Sequence, residues 1–292
     1  MGSGTKKKLH GVLRSDGGHW VGDGFPVRTL FDYARHGELM SPFLLLDHGG
    51  PVDFEPTTER RGVGAHPHRG FETVTIVYDG EVEHRDSSGG GGRIGPGDVQ
   101  WMTAASGLVH EEFHGREFAR RGGRFEMVQL WVNLPAKDKM TKPRYQAITA
   151  KDIPVVTLPD GRGTARVIAG SRFGAKGPAK TFTPIDVVDL RLSRGAPIEW
   201  SIANGHTAAL VVLHGEVKCG GAATVGASAV AVFERDGDAI VIEPVADTTA
   251  LLLAGAPIAE PIVGRGPFVM NTMREIHTAI EDFNAGRMGD LS

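Results

Sequence analysis

Short apolar runs punctuated by glycine and Asp-Gly turns recur along most of this chain. Runs at 27–30, 43–46, 73–78, 99–103 and 127–132 predict β-strands, because brief β-branched and aromatic stretches bounded by turn residues favour extended chain. A second strand-rich region is expected over 155–265, after a polar, Lys-rich linker at 136–154 that shows no clear period. Residues 1–19 are expected to form a flexible tail. Helical spacing is scarce. The clear case is the segment 266–292, where Thr272-x-x-Glu275 reads as a capping box and Ile276, Ala279, Ile280 and Phe283 fall on one face. Gly286 supplies its stop.

The two strand-rich regions echo each other. Asp79-Gly80-Glu81-Val82 and His214-Gly215-Glu216-Val217 both follow an apolar strand, at an offset of 135 residues. Gly97-Asp98 and Gly237-Asp238 both precede one, at an offset of 140. A duplicated barrel accounts for both matches. The fold class is therefore all-β, with two tandem barrels over 20–135 and 155–265 and a C-terminal helix.

Composition narrows the function classes. The 292 residues carry 32 basic and 35 acidic side chains, so no basic field exists to hold nucleic acid directly. The longest apolar runs, 208–213 and 249–254, are too short to span a bilayer, so no membrane partner is expected. A single cysteine, Cys219, precludes an intrachain disulfide and fits a cytoplasmic setting, as does the lack of an N-terminal apolar h-region.

The chemistry concentrates between Gly62 and His114. His66-Pro67-His68 places two imidazoles on one face of an extended strand, and His110 with Glu112 repeats that spacing on another. Glu111 has the opposite parity, which favours Glu112 as the carboxylate of this strand. Pro67 donates no ladder hydrogen bond, which suits a barrel edge or mouth. His66, His68, His110 and Glu112 would form a ligand set for one divalent transition metal; Fe(II), Mn(II), Co(II), Ni(II), Cu(II) and Zn(II) all accept such donors. Glu72 is a rival carboxylate that parity does not separate from Glu112. The offsets carry these positions onto Ser201, Ala203, Thr207, Ala250 and Leu252, so the second barrel is expected to hold no metal. His84, His10, His19, His36, His206 and His277 lack matching partners and are read as surface or structural. His114 shares the parity of His110 and is a candidate for the mouth.

His66-x-His68-x3-Glu72 resembles the first motif of the cupin barrels, and Gly107-x2-His110 the core of the second, with Ala105 where that motif has proline. Longer blocks resemble the pirin family: His66-Pro-His-Arg-Gly-Phe-Glu-Thr73, Pro96-Gly-Asp-Val-Gln-Trp-Met-Thr-Ala104, Leu130-Trp-Val-Asn-Leu134 and Gly266-Pro-Phe-Val-Met-Asn-Thr272. That resemblance implies two tandem cupin domains, jelly-roll β-barrels with metal in the N-terminal one. It implies iron, most readily Fe(II), on His66, His68, His110 and Glu112, with Glu72 outside the ligand set. It also implies a quercetin 2,3-dioxygenase activity, with a small aromatic substrate and dioxygen as partners and Glu112 as both ligand and catalytic base. Some pirins resemble metal-dependent regulators instead, which implies a protein partner as the alternative.

Overall fold

All five apolar runs of the first region lie within strands of the computed structural model, which describes residues 5–221 and 223–291. The run 27–30 lies inside Phe25–Asp32, 43–46 inside Phe43–Phe54, 73–78 inside Phe71–Asp79 and 127–132 inside Gly123–Asn133; Val99–Thr103 matches its run. Each of the longer strands continues past its apolar run because ladder hydrogen bonds, unlike hydrophobicity, persist through polar positions.

The described residues form two units. One comprises residues up to Ser15, Leu39–Pro42 and Lys151–Pro257; the other comprises Asp16–Glu38, Phe43–Ala150 and residues from Ile258. The second of these contains the histidine motifs and is called here the first barrel.

Both units use the same plan, a seven-stranded antiparallel sheet facing a four-stranded one. In the first barrel the larger sheet runs Arg144–Ile148, Val99–Thr103, Phe71–Asp79, Gly123–Asn133, Phe43–Phe54, Phe25–Asp32, His19–Val21. The smaller runs Gly62–His68, Leu108–His114, Val82–Asp86, Gly91–Ile94. The repeated turns have a common backbone cause. Gly80 and Gly215 sit at φ 84° and 81°, and Gly97 and Gly237 at 86° and 105°, a region that side-chain-bearing residues avoid.

Two expectations about the connecting segments need correction. Within the supposed tail, Leu9–Arg14 is a strand pairing Ala229–Phe233 of the second barrel, and His19–Val21 pairs Phe25–Asp32; the first four residues lie outside the described ones. Within the supposed linker, Arg144–Ile148 pairs Val99–Thr103 and belongs to the first barrel. Both strands are fixed by partners far away in sequence, which a local pattern does not display. Tyr33–Met40 adds a helix that the periodicity did not single out.

The C-terminal helix spans Met273–Asn284, and Thr272 caps it by accepting from the Glu275 amide at 3.2 Å. Ile276 and Ala279 are buried with Phe268, Met270 and Val109. Phe283, expected on the same face, is 37% exposed, since it lies in the last turn beyond the packed surface. No helix among the described residues is long and apolar enough to cross a membrane.

The interiors differ. Trp200, Ile202, Leu210, Val217 and Ile240 fill the second barrel, and Ala250 and Leu252, the positions offset from His110 and Glu112, join that apolar core. The first barrel buries Phe25, Val77, Phe118 and Phe125 in one cluster, yet also encloses Thr75, Gln100, His110 and Glu112. Buried polar groups persist only where partners compensate their lost hydration. They mark the site.

Candidate metal centre

Two strands of the smaller sheet build the histidine cluster. Gly62–His68 pairs with Leu108–His114 so that His66 lies opposite His110 and His68 opposite Leu108. The rings of His66 and His110 have centroids 4.2 Å apart, those of His68 and His110 4.8 Å, and those of His66 and His68 5.0 Å. One potential ligand atom from each lies within 4.8 Å of the others. The register shifts between His110 and Glu112, a bulge of the kind that re-aims side chains at barrel rims.

Alternation still separates the two glutamates. Glu111 turns to Arg85 at 2.7 Å and Arg60 at 3.4 Å. Glu112 turns to the facing sheet, where its Oε1 accepts from Gln100 Nε2 at 2.5 Å and Thr75 Oγ1 at 3.5 Å. Among the described residues Oε2 has no hydrogen-bond partner, which leaves that oxygen for the site. Glu112 also lies with His84 and His110 in a second group whose potential ligand atoms fall within 4.8 Å of one another.

The hydrogen bonds set the tautomers. Nδ1 of His66 lies 2.8 Å from the Gly64 carbonyl, and Nδ1 of His68 lies 3.3 Å from the Pro267 carbonyl. A carbonyl only accepts, so each Nδ1 carries the hydrogen and each Nε2 presents a lone pair. Nε2 of His110 is buried without a hydrogen-bond partner among the described residues. Such an orphan costs about 1–3 kcal/mol unless a ligand takes it. Three imidazoles with bare Nε2 atoms, beside a carboxylate, fit a divalent transition metal.

Burial, reinforced by the neighbouring His66, holds the pKa of His68 down to about 3, and burial beside His68, His66 and His84 holds His110 well below its usual value. Both stay neutral, the form that ligates. An unfolded histidine takes a proton near pH 6.5, so these residues leave stability untouched above that pH and erode it below, in the case of His68 down to about pH 3. For His68 alone the loss at pH 5 is about 2 kcal/mol. Glu72, whose raised pKa works in the opposite direction over this range, must be removed to see the drop: urea unfolding of metal-free Glu72→Gln protein at pH 7.5 and pH 5.0 is expected to show at least this loss, and equal midpoints in that background would contradict it.

Glu72 is placed elsewhere. Its Oε1 accepts from Thr103 Oγ1 at 2.7 Å and lies 3.9 Å from Arg144, and burial raises its pKa to about 7. It belongs to neither group of potential ligands in this barrel. His114 does not line a mouth; its ring packs among Phe25, Phe54, Phe118 and Phe125, and its Nε2 meets the Gly24 carbonyl at 2.8 Å.

His84, Tyr145 and Trp131 escaped the sequence reading. His84, read as surface or structural, is buried against His110 and bonded to Asp86. Tyr145, from the supposed linker, stacks on His84 and donates to Gln100 at 3.3 Å. Beside His68 stand Phe71 and Trp131, stacked on each other with centroids 4.3 Å apart. The His84-x-Asp86 spacing was a usable signal, the same two-residue parity as His66-x-His68.

Ala105 explains a departure from the cupin motif. It lies at φ 43°, whereas proline is confined near −65°, so proline is incompatible with this turn. Ala105→Gly is expected to be neutral or stabilising by up to about 1 kcal/mol in thermal unfolding, and Ala105→Pro strongly destabilising.

Comparison with known proteins agrees with this architecture. Residues 24–132 match the Pirin family and residues 187–289 match the Pirin C-terminal cupin domain. The chain belongs to the pirin family. A Pseudomonas aeruginosa pirin relative, provisionally named a quercetin 2,3-dioxygenase, is 56% identical over 96% of this chain and 98% of its own. A crystal structure of quercetin 2,3-dioxygenase from Acinetobacter baumannii superimposes with a TM-score of 0.95 at 54% identity, covering 98% of this chain and 100% of that one. A bacterial pirin from Escherichia coli, solved with nickel(II), shares the fold at 21% identity and a TM-score of 0.64, over 85% of this chain and 99% of that one. The pirin assignment thus covers both barrels.

Proposed function

We propose that this pirin is a metal-dependent dioxygenase that cleaves a flavonol such as quercetin, with its metal, Fe(II) by family resemblance, held by His66, His68, His110 and Glu112. The observation that carries the reading is the buried, partnerless Nε2 of His110 beside His66 and His68. Relatives above 50% identity that bear the dioxygenase name support the substrate class. When bound, the ion supplies a Lewis-acidic centre that holds a deprotonated substrate oxygen and supports chemistry with dioxygen.

The chain's own residues do the rest. Glu112 Oε2 accepts the proton of the flavonol 3-hydroxyl, while Gln100 and Thr75 fix the carboxylate through Oε1. Phe71 and Trp131, flanking His68, offer an aromatic wall to a planar substrate. His66 is only partly buried, so one side of the cluster opens to solvent.

Oxygen uptake by protein loaded anaerobically with Fe(II), then given quercetin and air, tests the reading. Turnover in the wild-type protein that vanishes in His66→Ala is expected. A fully metallated protein that consumes no oxygen would overturn it and favour a regulator acting through a protein partner.

A further inference from the structure

Behind His110 runs a chain of hydrogen bonds that the proposed reaction leaves without a role. His84 and Asp86 stand on Val82–Asp86, opposite Glu112 and His110 respectively. Nδ1 of His110 lies 3.2 Å from Nδ1 of His84, and Nε2 of His84 lies 3.1 Å from Oδ2 of Asp86. The His84 and Asp86 side chains are both fully buried. Asp86 is itself anchored, because its Oδ1 accepts from the Ser88 amide at 2.8 Å, the Ser88 hydroxyl at 2.6 Å and the Gly90 amide at 3.0 Å. The His84 ring lies nearly parallel to Tyr145, 9° between planes and 5.0 Å between centroids, which restricts its rotation.

The donor count along this chain has one solution for neutral rings. A carboxylate only accepts, so the hydrogen between Asp86 and His84 sits on His84 Nε2. His84 Nδ1 is then bare and accepts. The hydrogen between the two histidines therefore sits on His110 Nδ1, which leaves His110 Nε2 as a lone pair. That nitrogen is the one buried without a partner. The same count leaves His84 no free lone pair, so the group of His84, His110 and Glu112 is not a second metal site.

We infer that Asp86 and His84 are positioning residues: together they lock His110 in the tautomer whose Nε2 can take the metal. The inference rests on His110 being a ligand, as proposed above. Hydrogen-bonded partners behind metal-bound histidines typically account for 10–100-fold of metal affinity. Here the device has two members, and reversing the far end reverses the near one. In Asp86→Asn the amide oxygen keeps the three donors from Ser88 and Gly90, so the amide N–H faces His84 Nε2. His84 must then carry its hydrogen on Nδ1 and donate to His110, whose own hydrogen moves to Nε2 and blocks the site.

The test uses nitrogen-15 NMR of the metal-free full-length protein at pH 8, where the shifts of the two ring nitrogens report the tautomer directly. It is paired with Co(II) affinity measured against a competing chelator. The wild-type His110 should be the Nδ1–H form, and Asp86→Asn should convert it to Nε2–H with a 10–100-fold loss of Co(II) affinity. His84→Gln provides the control, because its freely oriented amide can present an oxygen to His110 whatever stands at Asp86. The double variant His84→Gln with Asp86→Asn should therefore recover affinity to within about threefold of His84→Gln alone, which no general structural damage would do. An unchanged His110 tautomer in Asp86→Asn, or a double variant as weak as Asp86→Asn, overturns the relay. A converted tautomer with undiminished affinity supports the relay and overturns His110 as a ligand instead.

Discussion

Glu112→Gln is expected to lower flavonol turnover by about 10²–10⁴-fold while metal is still bound in part, the range that a positioned general base contributes. The substitution is isosteric, and the carboxylate's hydrogen bonds from Gln100 and Thr75 both arrive at Oε1. A glutamine oxygen can keep those bonds, so the change falls on the other oxygen, which loses its capacity to accept a proton. Thermal unfolding should move little. The measurement is kcat by oxygen uptake alongside metal content; an unchanged kcat at equal metal loading would remove Glu112 from the chemistry.

The largest stability effect is expected at Lys139. Its ammonium is buried and donates to the Gly70 carbonyl at 2.7 Å, Asn133 Oδ1 at 2.7 Å and the Val269 carbonyl at 3.0 Å. These three acceptors bring together the loop just after His68, the end of Gly123–Asn133 and the strand Phe268–Met270. Pro267, next to that strand, supplies the carbonyl that orients His68. Lys139→Met preserves length but takes the ammonium from the Gly70 and Val269 carbonyls, at about 1 kcal/mol or more for each, while Asn133 Oδ1 keeps the Leu134 amide. A loss of at least about 2 kcal/mol corresponds to a fall in Tm of roughly 4–8 °C for a domain of this size. Co(II) affinity should fall with it, because His68 loses its support. A Tm within about 2 °C of the wild type would show that water or other donors replace the ammonium.

The physical reasons for what the sequence disclosed are specific. Two-residue spacing on a strand is a geometric invariant, so His66 with His68 and Glu112 against Glu111 were readable before any coordinates. The duplication was readable because a left-handed glycine is hard to replace at Gly80 and Gly215. His84 was missed because its nearest like-sided partner is an aspartate rather than another histidine. Tyr145 follows a Lys-rich stretch without alternation, and only the ladder to Val99–Thr103 brings it inward. Leu9–Arg14 likewise depends on a partner strand that begins more than 200 residues away, at Ala229.

The membership of the two units bears on any attempt to divide the protein. Leu9–Arg14 belongs with the later half of the chain, and the helix Met273–Asn284 with the earlier half. A protease nick near Lys151 would leave the leading fragment short of its final helix and the trailing fragment short of its edge strand. Neither piece then carries a complete barrel. The fragments should stay associated until denaturant is added, and splitting the gene at that point should give halves that need co-expression.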